Sequence, residues 1–152
     1  MIEEIINKFT TTFYIQIWKN RLKVTCVKSG KIYDDMPLVV IDNKKITAIG
    51  KKASTYQNAI NPFSHPRVII DDYEIAEILL RYAFDIASER KLFFSPLGII
   101  QVMEDMGTEL TKLEKKALAE IAMNAGCREN IIYEGESLEI EKINFNELKK
   151  LT

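Results

Sequence analysis

From Phe13 to Gly50 apolar and polar residues alternate with a period of two, interrupted at short intervals by turn residues, and this pattern predicts an antiparallel meander. Phe13, Ile15 and Ile17 share one face of a first strand. A two-residue turn at Lys19-Asn20 leads into a second strand from about Arg21 to Val27. Ser29-Gly30 turns the chain again, Leu38 to Ile41 forms the third strand, and Asp42-Asn43 turns into a short segment at Ile46 to Ile49. Gly50 to Phe63 is polar and irregular, and Pro62 and Pro66 hold the connection that follows in an extended form.

Beyond the prolines the period becomes helical. Ile75, Ile78, Leu79, Tyr82, Ala83 and Ile86 fall at steps of three and four, with Asp71 and Asp72 placed to cap the start and Arg90-Lys91 suited to the carbonyl end. Leu97 to Met103 reads as a buried strand. Thr111 and Glu114 make a capping box for a second helix, and Gly126 can end it in the left-handed conformation. Ile131 to Tyr133 returns as a short strand, parallel to the one before. Leu138, Ile140, Ile143 and Phe145 then suggest an added edge strand or extended arm, and Asn146 to Leu151 a terminal turn of helix. At the other end Met1, Ile2, Ile5, Ile6 and Phe9 form a short apolar helical stripe. The expected organisation is an amphipathic segment at 1–12, one α/β domain with a mixed sheet at 13–136, and an arm of the same domain at 137–152.

Composition narrows the function. With 152 residues, 47% of them hydrophobic and 28% charged, the chain can bury a real core and is not disordered. Its 21 basic and 22 acidic residues leave a formal net charge of -1, which offers no electrostatic footprint for nucleic acid. Cys26 and Cys127 lie in apolar sequence without the neighbours of a zinc or redox motif, as expected of buried thiols in the cytoplasm. No apolar run reaches the ~18 residues of a membrane span. Glu3 and Glu4 stand where a signal peptide would be basic.

Three antiparallel strands, a helix, a strand, a helix and a strand make the ribonuclease-H-like arrangement, and the details resemble one branch of it. Pro37-Leu38-Val39-Val40, Ile46-Thr47-Ala48-Ile49-Gly50, Ile60-Asn61-Pro62-Phe63 leading to Asp72-Tyr73, and Ala125-Gly126-Cys127-Arg128-Glu129 follow one another as in the first subdomain of the MreB family of bacterial actins, the rod-shape-determining ATPases. The resemblance covers roughly Phe13 to Glu136. It implies an ATP and magnesium site between two such subdomains, with an Asp-x-Gly-Thr loop in the first hairpin; Gln16, Ile17, Trp18 and Lys19 stand there instead. Gln16 cannot replace the carboxylate, and Trp18 is bulky where glycine lets backbone approach phosphate. Of the two acids and a proline that the family places after the last strand, Glu134 matches the first, while Gly135 and Glu136 replace the others. The second subdomain, whose glycine-rich loop would close over the phosphates, is expected to be missing.

The remaining chemistry is sparse. Glu104-Asp105, Asp71-Asp72 and Glu134 could gather as a magnesium cluster in a ribonuclease-H-like nuclease, but Gln16 occupies the place of the acid such enzymes need on the first strand; solvated strand ends and a helix cap are the favoured account. His65 has no second ligand or nucleophile nearby. Phe63, His65 and Arg67 on a proline-stiffened loop suit a partner contact, or simply loop structure. Trp18 reads equally as an interface anchor and as a cover for the sheet edge. The apolar start suits packing on its own domain or a second copy better than membrane attachment, which would call for more basic residues. The expectation is a domain with no catalytic, metal or cofactor residues that binds a protein partner, for which Trp18, Phe63, His65 and Arg67 are the candidates, or a second copy of itself as a symmetric dimer, through the face that the resemblance implies is buried against a second subdomain. Its alternative is a nucleotide-binding half-ATPase completed by another chain.

Overall fold

The computed structural model describes residues 1–88 and 94–152. Strands β1 (Thr12–Trp18), β2 (Arg21–Cys26) and β3 (Ile32–Asp35) form the meander, and β4 (Val39–Asp42) and β5 (Lys45–Ile49) a separate hairpin. Strands β6 (Leu97–Val102) and β7 (Glu129–Ile132) follow later in the chain. Helices α1 (Ile2–Phe9), α2 (Tyr73–Ala87), α3 (Lys112–Asn124) and α4 (Phe145–Leu151) complete the regular structure, with 3-10 turns at Gly50–Thr55 and Ile140–Lys142. The five-stranded sheet has the order β3-β2-β1-β6-β7. β1 lies antiparallel to β2 and parallel to β6, and β6 is parallel to β7, so the expected mixed sheet is present.

Two expectations are corrected. The third strand of the meander is β3, not Leu38 to Ile41, because Lys31 to Asp35 carries no alternation and pairs only once Gly30, at φ +77°, has turned the chain against β2. Val39–Asp42 pairs instead with β5 across a turn at Asn43 and Lys44, both with positive φ. That is the geometry of a type I′ turn, whose twist matches a two-stranded ribbon. The second correction concerns the form of the tail, which packs on its own domain as an arm and not as an edge strand: Ile140–Lys142 is a 3-10 turn, and Asn144 caps α4, its side chain accepting the Glu147 N–H at 3.1 Å.

The helices form where their caps and periods place them. Asp72 accepts the Ile75 N–H at 3.1 Å, and Thr111 and Glu114 close the capping box of α3. Arg90 and Lys91, expected at the carbonyl end of α2, lie outside the described residues. One core fills the face of the sheet under α2 and α3, with Phe13 stacked on Phe84 at 4.7 Å between ring centroids. A second, smaller core lies on the opposite face, where Tyr14, Ile99 and Ile131 are covered by Phe145 with Leu138, Ile140, Ile143 and Leu148 of the tail. Helix α1 does not join either core closely, since Ile2 is 75% and Ile5 52% exposed. No helix among the described residues is long and apolar enough to cross a membrane.

Gly50, at φ +79°, tests how the hairpin is joined to the sheet. A Cβ there would meet Asp35 Oδ2 at 2.0 Å, and Asp35 itself accepts the Lys51 N–H at 2.9 Å. Gly50→Ala should cost on the order of 2 kcal/mol, lowering Tm by roughly 4–8 °C. Gly107→Ala, at φ +77° but with nothing within 4 Å, should lose less; equal losses would show that Asp35 does not matter. Deleting the chain after Gly135 should uncover Tyr14, Ile99 and Ile131 and cause aggregation or loss of the cooperative melt, and an unchanged Tm would make the tail dispensable.

Candidate functional site

The carboxyl ends of β1 and β6 meet at one edge of the sheet, where Met103 N–H donates to Ile17 O at 2.8 Å and carries the β1–β6 ladder to the hairpin tip. β7 follows alongside, Tyr133 N–H donating to Ile100 O at 2.8 Å. The tip between β1 and β2 is clasped from both sides. The backbone N–H of Lys19 donates to Glu104 Oε2 at 3.0 Å, and the Lys19 carbonyl accepts from Asn61 Nδ2 at 2.7 Å. Asn61 in turn accepts the Phe63 N–H at 2.8 Å, so the loop before α2 and the tip are one rigid unit.

Behind the tip the even-numbered residues of β1 face the second core. Gln16 stands opposite Gln101 of β6 in the ladder; Gln16 is 9% and Gln101 3% exposed. Gln16 Nε2 lies 3.7 Å from Met103 Sδ, a weak partner. Tyr14 donates its hydroxyl to Gln101 Oε1 and accepts the Leu138 N–H at 3.2 Å, while Gln101 Nε2 donates to the Gly135 carbonyl at 2.8 Å. Burial pushes the Tyr14 phenol above its ordinary pKa, so it stays a neutral donor. This network ties the tail to the centre of the sheet. A buried polar chain of this kind specifies one arrangement, because each member left alone would be costly.

The candidate residues divide. Trp18 is half-buried on the edge, with the Arg21 guanidinium 4.8 Å from its ring centroid. Arg21 also holds Asp34 through two hydrogen bonds of 2.8 and 2.6 Å, and keeps that carboxyl below its usual pKa. Phe63 is corrected: at 4% exposed it belongs to the main core and supports the loop from beneath rather than facing a partner. His65 is half-buried, its Nδ1 accepting the N–H groups of Arg67 and Val68 at 3.1 and 3.3 Å. Arg67 is exposed. The acids do not gather. Glu104 holds the tip, Asp72 caps α2, Glu134 pairs with Lys115 at 2.5 Å and Asp105 accepts the Gly107 N–H. Among the described residues no three of His, Cys, Asp and Glu are grouped to hold a metal ion. Cys127 is buried, which pushes its thiol up to about 12 and leaves it a poor nucleophile.

Sequence reasoning missed Glu104 as a clasp and the Tyr14–Gln101 pair. A signal for the second was present, since Gln16 and Gln101 are both polar residues inside apolar strand runs.

A family model described as MreB/Mbl protein matches residues 15–139. Two crystal structures of MreB5 of Spiroplasma citri, one bound to AMPPNP and one to ADP, match the fold with TM-scores of 0.66 and 0.65. Each is 21% identical in sequence over 82% of this chain, which spans only 38% of theirs. No curated protein matches the chain.

The buried network yields a stability test. Tyr14→Phe keeps the ring but leaves Gln101 Oε1 and the Leu138 N–H without their partner, at a cost of about 1–3 kcal/mol. Urea unfolding should show it, and a double-mutant cycle with Gln101→Leu should be clearly non-additive. Additive losses would mean that the two side chains do not act together.

Proposed function

The chain belongs to the MreB/Mbl family, and from that membership we propose that it is a non-catalytic, actin-like domain of the cytoplasm that acts by binding protein, as an accessory of filament or cell-shape machinery. The observation that carries this reading is the occupied hairpin tip. Where the family resemblance puts a phosphate loop, the Lys19 amide is already satisfied by the chain's own Glu104 carboxylate. A carboxylate there occupies that amide and repels a phosphate by charge. Gln16 supplies no anion to hold magnesium, and its side chain is buried against Met103. Trp18 fills the place where backbone would have to approach a nucleotide.

Binding explains the same residues better than turnover. A tip fixed by Asn61 and Glu104 presents Trp18 without an ordering cost, and Arg67 lies exposed on the loop that Asn61 joins to it. Trp18 and Arg67 are therefore the residues that a protein partner would use, with His65 shaping the loop between them.

Isothermal titration calorimetry of the chain with ATP and magnesium should show no measurable heat of binding. Micromolar affinity that Glu104→Ala strengthens, by freeing the Lys19 amide, would overturn the reading in favour of a half-ATPase completed by a second chain. Arg67→Ala should leave Tm within about 2 °C, as expected of a surface substitution, whereas Trp18→Ala, at a half-buried strand position under Arg21, should cost about 1 kcal/mol and lower Tm by roughly 2–4 °C. Each should weaken capture of the same protein from a lysate of the native cell.

A further inference from the structure

The β4–β5 ribbon leaves one strand edge open. β4 is paired on both sides, with β5 along its register and with Ile60 through Val39, whose N–H donates to Ile60 O at 3.0 Å. Among the described residues β5 pairs with β4 alone. Asp42 and Lys45 close the two-residue turn as a hydrogen-bonded pair, so at the next pair, Ile41 and Ile46, the backbone groups point away from each other. The N–H and C=O of Ile46 therefore face outward from the ribbon, and its side chain is 51% exposed.

That edge is held in place at both ends. The turn closes one end; at the other the Gly50 N–H donates to Leu38 O at 2.8 Å, and Asp35 accepts the Lys51 N–H at 2.9 Å. An incoming strand would meet a template that is already formed.

Charge selects what can lie on it. Lys44 and Lys45 stand at the start of β5 and Lys51 and Lys52 just past its end, all exposed, and none of them pairs with a carboxylate among the described residues. From Asn43 to Ile70 the chain contains no acid. Asp42 is engaged by Thr47 Oγ1 at 3.2 Å and Asn58 Nδ2 at 3.1 Å. The same edge of a second copy is excluded, because β5 is basic at both ends and either orientation would set lysine against lysine. Nucleic acid would answer the lysines, but it carries no strand ladder to match the outward N–H and C=O of Ile46.

We propose that the outer edge of β5 takes up an extended acidic segment of a different protein as a third strand, with β-branched residues opposite Ile46 and acids at both ends opposite the lysines. The inference rests on the binding-module reading and deepens it by giving the partner a chemical class. Backbone pairing supplies the register, and the lysines reject basic or neutral strands.

The probe is the fluorescein-labelled peptide EEVTVEE, blocked at both ends, and the readout is its anisotropy with the whole chain. It should bind at least tenfold more tightly than EEVPVEE, whose proline keeps the charge but removes a ladder donor, and salt should weaken it. Lys45→Glu with Lys51→Glu should cost at least tenfold in affinity with Tm unchanged, both positions being exposed. Hydrogen exchange at the Ile46 amide should slow when the peptide is bound. Equal binding of the two peptides, indifference to the lysine pair, an Ile46 amide left unprotected, or a thymidine oligonucleotide that binds as tightly as EEVTVEE would overturn the proposal. Absence of peptide binding alongside intact Trp18-dependent capture of a protein defeats this edge and leaves the binding-module reading standing; peptide binding by a chain that also takes up ATP does the reverse.

Discussion

Strand β1 must be covered on both faces at once, and most of the structure answers to that requirement. Every residue from Phe13 to Ile17 is buried, and hydrogen-bonded neighbours stand on both sides. The odd positions are apolar and take the broad cover of α2 and α3. The even positions begin with Tyr14 and Gln16, so the second face cannot be closed by apolar contact alone. A buried phenol or amide without a partner costs about 1–3 kcal/mol, which is a large part of a domain's net stability. The partners come from Gln101 on the neighbouring strand and from the backbone of Gly135 and Leu138. The tail is held by that polar need as much as by Phe145 and Leu148, which explains how so short a segment can close a whole face.

The same strand fixes the chemistry of its own end. Because β1 and β6 run parallel, their carboxyl ends deliver Lys19 and Glu104 to one place, and a free amide and a free carboxylate satisfy each other. Asn61 then uses both halves of its amide, one on the Lys19 carbonyl and one on the Phe63 N–H. A tip held this way has given its backbone groups to the fold. What it offers outward is side chain, chiefly Trp18 over Arg21.

How much of this could be read in the sequence depends on the range of the cause. Helices α2 and α3 were legible because their causes are local: apolar steps of three and four, Asp72 at one start, and Thr111 with Glu114 at the other. β3 was not, since Lys31 to Asp35 has no alternation and becomes a strand only because β2 is beside it. The tail misled for a related reason. Leu138, Ile140, Ile143 and Phe145 are spaced by two and three, a pattern that fits a strand and a turned coil equally, and the choice was made by the face they cover. Phe63 reads as an exposed loop residue because prolines surround it, but its side chain lies in the main core beside Asn61, which accepts its N–H. At the site, the loss of a carboxylate at Gln16 was plain in the sequence. That Glu104 would reach the Lys19 amide was not, because 85 residues separate them and only the strand register brings them together.

A sheet built this way has two unlike ends, and that difference bears on what the domain can join. At the amino ends of β1, β6 and β7 lie α1 and a groove of about 550 Å³ lined by Glu3, Ile6, Arg128, Glu129 and Asn146, where Glu129 is paired with Lys149 and the charges are mixed. Toward the carboxyl ends lie the clasped tip and the lysine-rich hairpin. The rigidity of β1, paired on both sides and packed on both faces, keeps the two ends at a fixed separation and in a fixed relative orientation, so any contact made at one end sets the position of the other.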